Sequence, residues 1–114
     1  MTHYRKAGDK AEKQAEDYLT GLGFEILERN YRHKKAEIDL IVSHENLLLF
    51  VEVKYRRTAT YGYPEEFVSE NQQRNIIGAA QYYLERLKWK GRIRFDIIAL
   101  DASMSITHFE DAFY

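Results

Sequence analysis

Two short strings of this sequence, Glu37–Ile41 and Val51–Lys54, place charged residues inside strongly apolar stretches. A buried carboxylate without a partner is disfavoured, and neighbouring carboxylates repel one another. A hard divalent cation relieves both costs. One or two carboxylates plus waters suit Mg²⁺ or Mn²⁺ and leave positions open for phosphate oxygens. Asp39, Glu52 and Lys54 therefore predict a metal site in which the ammonium faces the attacking water or the charge developing on a phosphate ester.

The two strings are predicted to meet in a β-hairpin. Because strand side chains alternate between faces, Glu37 and Asp39 share one face of their strand. Pairing Val42 with Leu47 across a polar turn would put Glu37 opposite Glu52, with Asp39 diagonally beside it. The alternative is a surface pair of cross-strand charges worth under about 1 kcal/mol.

A fourth carboxylate comes from the first predicted helix, Gly8–Gly23. Glu12 lies at the edge of the apolar stripe, from which it could reach the strand carboxylates. The competing interpretation is an ordinary exposed helix former. The stripe itself consists of Ala11, Ala15, Tyr18, Leu19 and Leu22, and the glycines at 21 and 23 supply a stop.

The remaining pattern alternates strands and helices. Strands are predicted at Phe24–Arg32, Glu37–Val42, Leu47–Tyr55 and Arg94–Leu100, with an edge strand in Ser105–Tyr114 whose Phe109 and Phe113 dock on the core. A loop, Thr58–Glu66, precedes a second helix opened by a capping box from Ser69 to Gln72. Its buried stripe is Ile76, Ile77, Ala80, Tyr83, Leu84 and Leu87. This order predicts an α/β fold, a mixed sheet flanked by helices in three layers.

Composition limits the function classes. The 114 residues predict one domain over 1–114, and 45% hydrophobic and 31% charged residues are ordinary for a globular chain. With no cysteine, disulfides, thiolate zinc sites and cysteine nucleophiles are excluded. A net charge of −1 argues against coating nucleic acid by charge alone. Without an apolar leader or a long apolar run, we expect a cytoplasmic protein with no membrane partner.

Basic residues bunch near the charged strings. Their side chains are predicted to contact a nucleic-acid backbone through phosphates, independently of sequence, and the set is Arg32, Lys34, Lys35, Arg56 and Arg57. The four histidines lack ligand spacing and are interpreted as surface residues.

The motifs resemble those of the YraN-like predicted endonucleases. The resemblance rests on a helix string from Gly8 to Gly23, on Glu37–Ile41 and Phe50–Lys54, and on Arg94–Asp96. This family is similar to Holliday-junction resolvases of the restriction-endonuclease-like superfamily. The superfamily's PD-(D/E)XK motif corresponds here to Asp39 followed by Glu52-Val53-Lys54.

The resemblance implies roles for individual residues. Asp39 and Glu52, helped by the Val53 carbonyl, would ligate Mg²⁺ or Mn²⁺. Lys54 would position the attacking water, and Glu12 would assist as a further acid. Gln73 on the second helix would lie near the site and contact the nucleic acid. The substrate would be DNA, including branched DNA, and analogy with junction resolvases suggests a homodimer.

Two alternatives to a metal-dependent DNA endonuclease stay open at this point. One is a non-catalytic module on the same fold that binds nucleic acid or recruits a partner. The other is a metal-dependent hydrolase of nucleotides. Cleavage of a plasmid but not of nucleoside triphosphates separates them from the endonuclease.

Overall fold

The computed structural model describes residues 3–57 and 68–113. The elements, in chain order, are α1 (His3–Gly21), β1 (Glu25–His33), β2 (Ala36–His44), β3 (Leu47–Tyr55), α2 (Glu70–Leu87), β4 (Arg92–Leu100) and β5 (Ile106–Phe109). The strands form one sheet in the order β1-β2-β3-β4-β5. Neighbours are antiparallel except β3 and β4, which are parallel. The predicted α/β class with a mixed sheet is confirmed, while the predicted loop Thr58–Glu66 lies outside the described residues.

The two helices cover opposite faces of the sheet. The α1 residues Ala11, Ala15 and Leu19 pack in one core cluster, and α2 packs in another around Phe50 and Phe95. Each face of β3 therefore contacts one of the two cores, which explains why this strand is apolar almost throughout. The three-layer arrangement follows from these two cores.

The ends of the helices correct two predicted core positions. Leu22 is 52% exposed because α1 ends at Gly21, and Gly23 then turns the chain at φ +102°. Leu87 is 43% exposed because it is the last residue of α2, followed by a left-handed cap at Lys88. Ala79, which the predicted stripe omitted, is buried instead.

The other boundaries follow local signals. The Ser69 hydroxyl accepts from the Gln72 N–H while the Gln72 side chain accepts from the Ser69 N–H, so the predicted capping box is present. The edge strand is confirmed as β5, and Phe109 and Phe113 both pack on the core beneath α2. No helix in the described part of the chain is long and apolar enough to cross a membrane.

The predicted register of the β2–β3 hairpin is wrong by two residues. The turn has only two residues, Glu45 and Asn46, and Glu45 adopts a left-handed φ of 54°. His44 therefore pairs with Leu47, and Val42 pairs with Leu49. The four-residue turn assumed from polarity alone was too long.

Strict alternation along β2 would place Ile38 on the same face as Leu40 and Val42, and this expectation from the sequence is wrong. Leu40 and Val42 pack beneath α1 as one face of β2, but Ile38 packs with Ile41 in the core beneath α2. The change of side falls at Asp39, just beyond the last ladder pair of β2 with β3, Leu40 with Val51. Beyond this point, carboxylate oxygens take the place of strand carbonyls as acceptors of backbone hydrogen bonds.

Candidate active site

Two hydrogen bonds join Asp39 to Glu52 and Val53 of β3 where the β2–β3 ladder stops. The Asp39 backbone N–H donates to Glu52 Oε2 at 3.4 Å, and the Val53 backbone N–H donates to Asp39 Oδ2 at 2.7 Å. Each carboxylate thus accepts a hydrogen bond from a backbone N–H that would otherwise donate to a strand carbonyl. The sequence placed Glu52 opposite Glu37, but the structure sets it beside Asp39 and sets Glu37 opposite Arg32 of β1.

Burial makes this pair of carboxylates electrostatically costly. Glu52 is only 5% exposed. Burial raises the pKa of Glu52, and the charge of Asp39 raises it further. Burial likewise raises the pKa of Asp39, against the opposing effects of the Val53 N–H and of Lys54. The charge of Lys54 lowers the pKa of both groups.

Glu12 of α1 lies close to the same charges. Burial first, and then the charges of Asp39 and Glu37, raises the pKa of Glu12 to about 7. A glutamate on the solvent face of a helix would not be desolvated or sense the strand carboxylates in this way. The structure therefore favours the predicted position of Glu12 near the site over that of an ordinary exposed helix residue.

The donor set fits a magnesium-type ion that keeps much of its water. Among the described residues, no three histidine, aspartate or glutamate side chains converge into a complete metal cage. Mg²⁺ in phosphate-processing sites needs only one or two carboxylates, with waters and substrate oxygens completing the octahedron. Asp39 and Glu52 supply that number, and their mutual repulsion is the kind a cation relieves.

The predicted phosphate-binding residues separate into distinct environments. Arg32 forms a 2.7 Å ion pair with Glu37 across the strands. Lys34 and Lys35 form the exposed two-residue turn between β1 and β2. The Gln73 amide donates to the Val68 carbonyl at 3.0 Å, which fixes the start of α2.

The other two predicted phosphate-binding residues follow β3. Arg56 donates to the Tyr55 carbonyl at 3.1 Å, and Arg57 is exposed. Both lie within three residues of Lys54 along the chain.

A second polar cluster was not anticipated. Asp96 is fully buried in β4, and it accepts hydrogen bonds from the Arg94 guanidinium at 2.8 and 2.9 Å and from the Asp111 N–H. His108 Nε2 lies 2.7 Å from Asp96, and its Nδ1 lies 2.9 Å from the Tyr18 hydroxyl. The prediction that all histidines are surface residues is therefore wrong for His108. The buried strand position of Asp96 was the one available signal, since such a carboxylate requires partners.

The comparisons with known proteins agree with the motifs. The family model described as uncharacterised protein family UPF0102 matches residues 11–100. The chain belongs to this family. Its match confirms the YraN-like resemblance, and it spans Glu12, Asp39, Glu52 and Lys54.

UPF0102 proteins from several bacteria are similar to this chain over nearly their whole length. The protein from Cytophaga hutchinsonii is 41% identical over 111 residues, covering 97% of each chain. Those from Christiangramia forsetii and Syntrophotalea carbinolica are 39% and 42% identical, covering 100% and 99% of this chain and 98% and 96% of their own.

One solved structure is similar in part, that of Pyrococcus furiosus SfsA in complex with Ca²⁺. The match covers 94% of this chain and 63% of that one, at 16% identity and a TM-score of 0.37.

Proposed function

We propose that this UPF0102 protein is a metal-dependent endonuclease that hydrolyses phosphodiester bonds of DNA. One observation carries the proposal. Two carboxylates, Asp39 and Glu52, are held together in a largely buried part of the sheet, with Lys54 beside them. An inactive scaffold has no physical need for such a cluster, because burying it costs stability.

Asp39 and Glu52 would hold Mg²⁺ or Mn²⁺, with the Val53 carbonyl as the further ligand implied by the family motif. When bound, the cation would supply Lewis acidity toward a phosphate oxygen and toward water. The Val53 N–H bond to Asp39 Oδ2 orients that carboxylate before any ion arrives. Such hydrogen bonds to a ligand oxygen fix its direction.

Lys54 and Glu12 have complementary tasks in this proposal. The Lys54 ammonium would orient the attacking water and stabilise the negative charge that develops on the phosphate oxygens. Burial and the charge of Asp39 raise the pKa of Glu12 to about 7. Glu12 would therefore exchange a proton with that water near neutral pH. Lys34, Lys35, Arg56 and Arg57 would hold the DNA backbone.

The test is cleavage of labelled duplex, single-stranded and four-way-junction DNA in Mg²⁺ or Mn²⁺. The conservative variants Asp39→Asn, Glu52→Gln and Lys54→Met are compared with wild type. We expect each to lower the cleavage rate by at least about a hundredfold, since each removes a group aimed at the reacting phosphate. EDTA is expected to abolish cleavage in all proteins.

Glu45→Gln is the matched control. Glu45 lies in the turn of the same hairpin, its side chain is 82% exposed, and the change removes the same charge. It is expected to cleave like wild type. DNA binding without cleavage, equal in wild type and in Glu52→Gln, would reject the endonuclease and favour the non-catalytic module. Hydrolysis of nucleoside triphosphates in place of DNA would favour the nucleotide hydrolase.

Preference for branched DNA and a homodimer belong to the same proposal. A junction has two strands to cut, so a resolvase-like enzyme would use two copies of the site. Faster cleavage of the four-way junction than of its duplex arms would support the first. Sedimentation as a monomer at high concentration, with and without junction DNA, would reject the homodimer.

A further inference from the structure

A pocket of about 160 Å³ opens between the β1–β2 turn and the outer face of α2. The turn contributes two lysines, and the helix contributes an arginine and an asparagine about one turn from a glycine. Its lining includes Lys34, Lys35, Arg74, Asn75 and Gly78. Two elements far apart in the sequence therefore converge to form a small, basic concavity.

The charges of this pocket are not balanced by the described chain. Lys34, Lys35 and Arg74 are exposed, and none forms an ion pair with a carboxylate of the described residues. In contrast, Arg32, two residues before Lys34, is paired with Glu37. Three cations without an ion-pair partner among the described residues surround one concavity in a chain of net charge −1, and such a site is suited to an anion.

The turn that carries the lysines is not built from typical turn residues. A two-residue hairpin turn favours glycine, asparagine or aspartate, because left-handed backbone is costly for other residues. Here Lys34 takes that conformation, at φ 55°. The turn thus presents two ammonium groups where its backbone geometry favours other residue types.

Gly78 points to the same conclusion from the helix side. Glycine inside a helix is less stable than alanine. Apart from its chain neighbours and the nearby backbone of its own helix, no atom of the described chain lies within 4 Å of a Cβ built at Gly78, and its φ is not in the left-handed region. Neither packing nor backbone conformation in the described chain therefore requires glycine. Close approach of a ligand to the helix backbone would require glycine at this position.

We propose that this pocket binds a backbone phosphate of the DNA, an inference that rests on the proposed function. Lys34, Lys35 and Arg74 neutralise the phosphate, Asn75 offers an amide donor, and Gly78 lets the sugar-phosphate chain reach the helix. Ala36 lines the pocket and Asp39 lies three residues further along β2, about 10 Å at the usual strand rise. The bound phosphate would therefore lie within a few nucleotides of the one attacked.

Binding is tested separately from cleavage, by fluorescence anisotropy of labelled duplex DNA in EDTA over a range of salt concentrations. The variant carries Lys34→Gln, Lys35→Gln and Arg74→Gln. Its matched control carries Lys88→Gln, Lys90→Gln and Arg92→Gln, which removes the same charge at the other end of α2. We expect the pocket variant to bind at least tenfold more weakly, with a salt slope smaller by about 1 per lost phosphate contact.

Gly78→Ala provides a second, independent readout. We expect it to raise the urea midpoint of unfolding and yet weaken DNA binding several-fold, a combination that simple misfolding would not give. Equal affinity and salt slope in the pocket and control variants would overturn the proposal. The proposal would also be overturned if the protein bound inorganic phosphate with micromolar affinity and Gly78→Ala abolished that binding but left DNA binding unchanged. These variants keep Asp39 and Glu52, and DNA binding is measured without metal. The binding results can therefore be interpreted even if the protein does not cleave DNA.

Discussion

Replacing Glu12 by glutamine removes one charge from the candidate site and nearly preserves helix propensity. Burial, with the charges of Asp39 and Glu37, raises the pKa of Glu12 from 4.5 to about 7 in the folded protein. The unfolded chain therefore releases this proton near pH 4.5, while the folded chain holds it until about pH 7. The stability gained from the protonated carboxyl is complete below pH 4.5 and is lost as the pH rises through 7.

The magnitude follows from the size of this shift. One pKa unit is worth about 1.4 kcal/mol, so the full shift would correspond to about 3 kcal/mol. Glu12 is only half-buried, and solvent screening reduces the effect to about 1 kcal/mol. We therefore expect Glu12→Gln to unfold with a free energy about 1 kcal/mol higher than wild type at pH 8, and nearly equal to it at pH 4.5.

The assay is urea denaturation of the metal-free protein at these two pH values in EDTA. Glu16→Gln is the control one helical turn away. A hydrogen bond from Arg29 lowers the pKa of Glu16, so that variant should instead lose stability above its ordinary pKa. A Glu12→Gln protein no more stable than wild type at pH 8 would refute the placement of Glu12 beside Asp39.

Two further predictions concern the scaffold. Ser69→Ala removes the hydroxyl that accepts from the Gln72 N–H, and the free energy of unfolding measured in urea should fall by about 1 kcal/mol with an unchanged m-value. Asp96→Ala leaves Arg94 and His108 without their acceptor and should cost about 3 kcal/mol. Burial opposes ionisation of Asp96, but hydrogen bonds from His108 and Arg94 lower its pKa, so wild type should lose this advantage only as the pH falls below about 4. A cost of Asp96→Ala that is unchanged at low pH would contradict that account.

Much of the fold follows from local patterns in the sequence. The apolar run that predicts a central strand has the same limits as β3, Leu47–Tyr55. The capping box at Ser69 starts α2, and the glycines at 21 and 23 end α1. These signals act within a few residues, because backbone hydrogen bonding and side-chain alternation repeat over short distances.

The residue types at the candidate site could likewise be predicted, because carboxylates inside apolar strands are conspicuous. Their exact neighbours could not. A two-residue turn in place of a four-residue one moved the register by two positions and put Asp39, rather than Glu37, beside Glu52. Polarity shows that a turn exists, but backbone conformation at Glu45 decides its length.

The sequence by itself determined the periodic elements and the chemically unusual residues, because both depend on local geometry and on residue type. Only the tertiary structure decided which distant groups meet. Tyr18 and His108 are 90 positions apart in the sequence yet share a hydrogen bond, and Lys34 and Gly78 line the same pocket. Such contacts arise from packing two helices on opposite faces of one sheet, a constraint that no single segment carries.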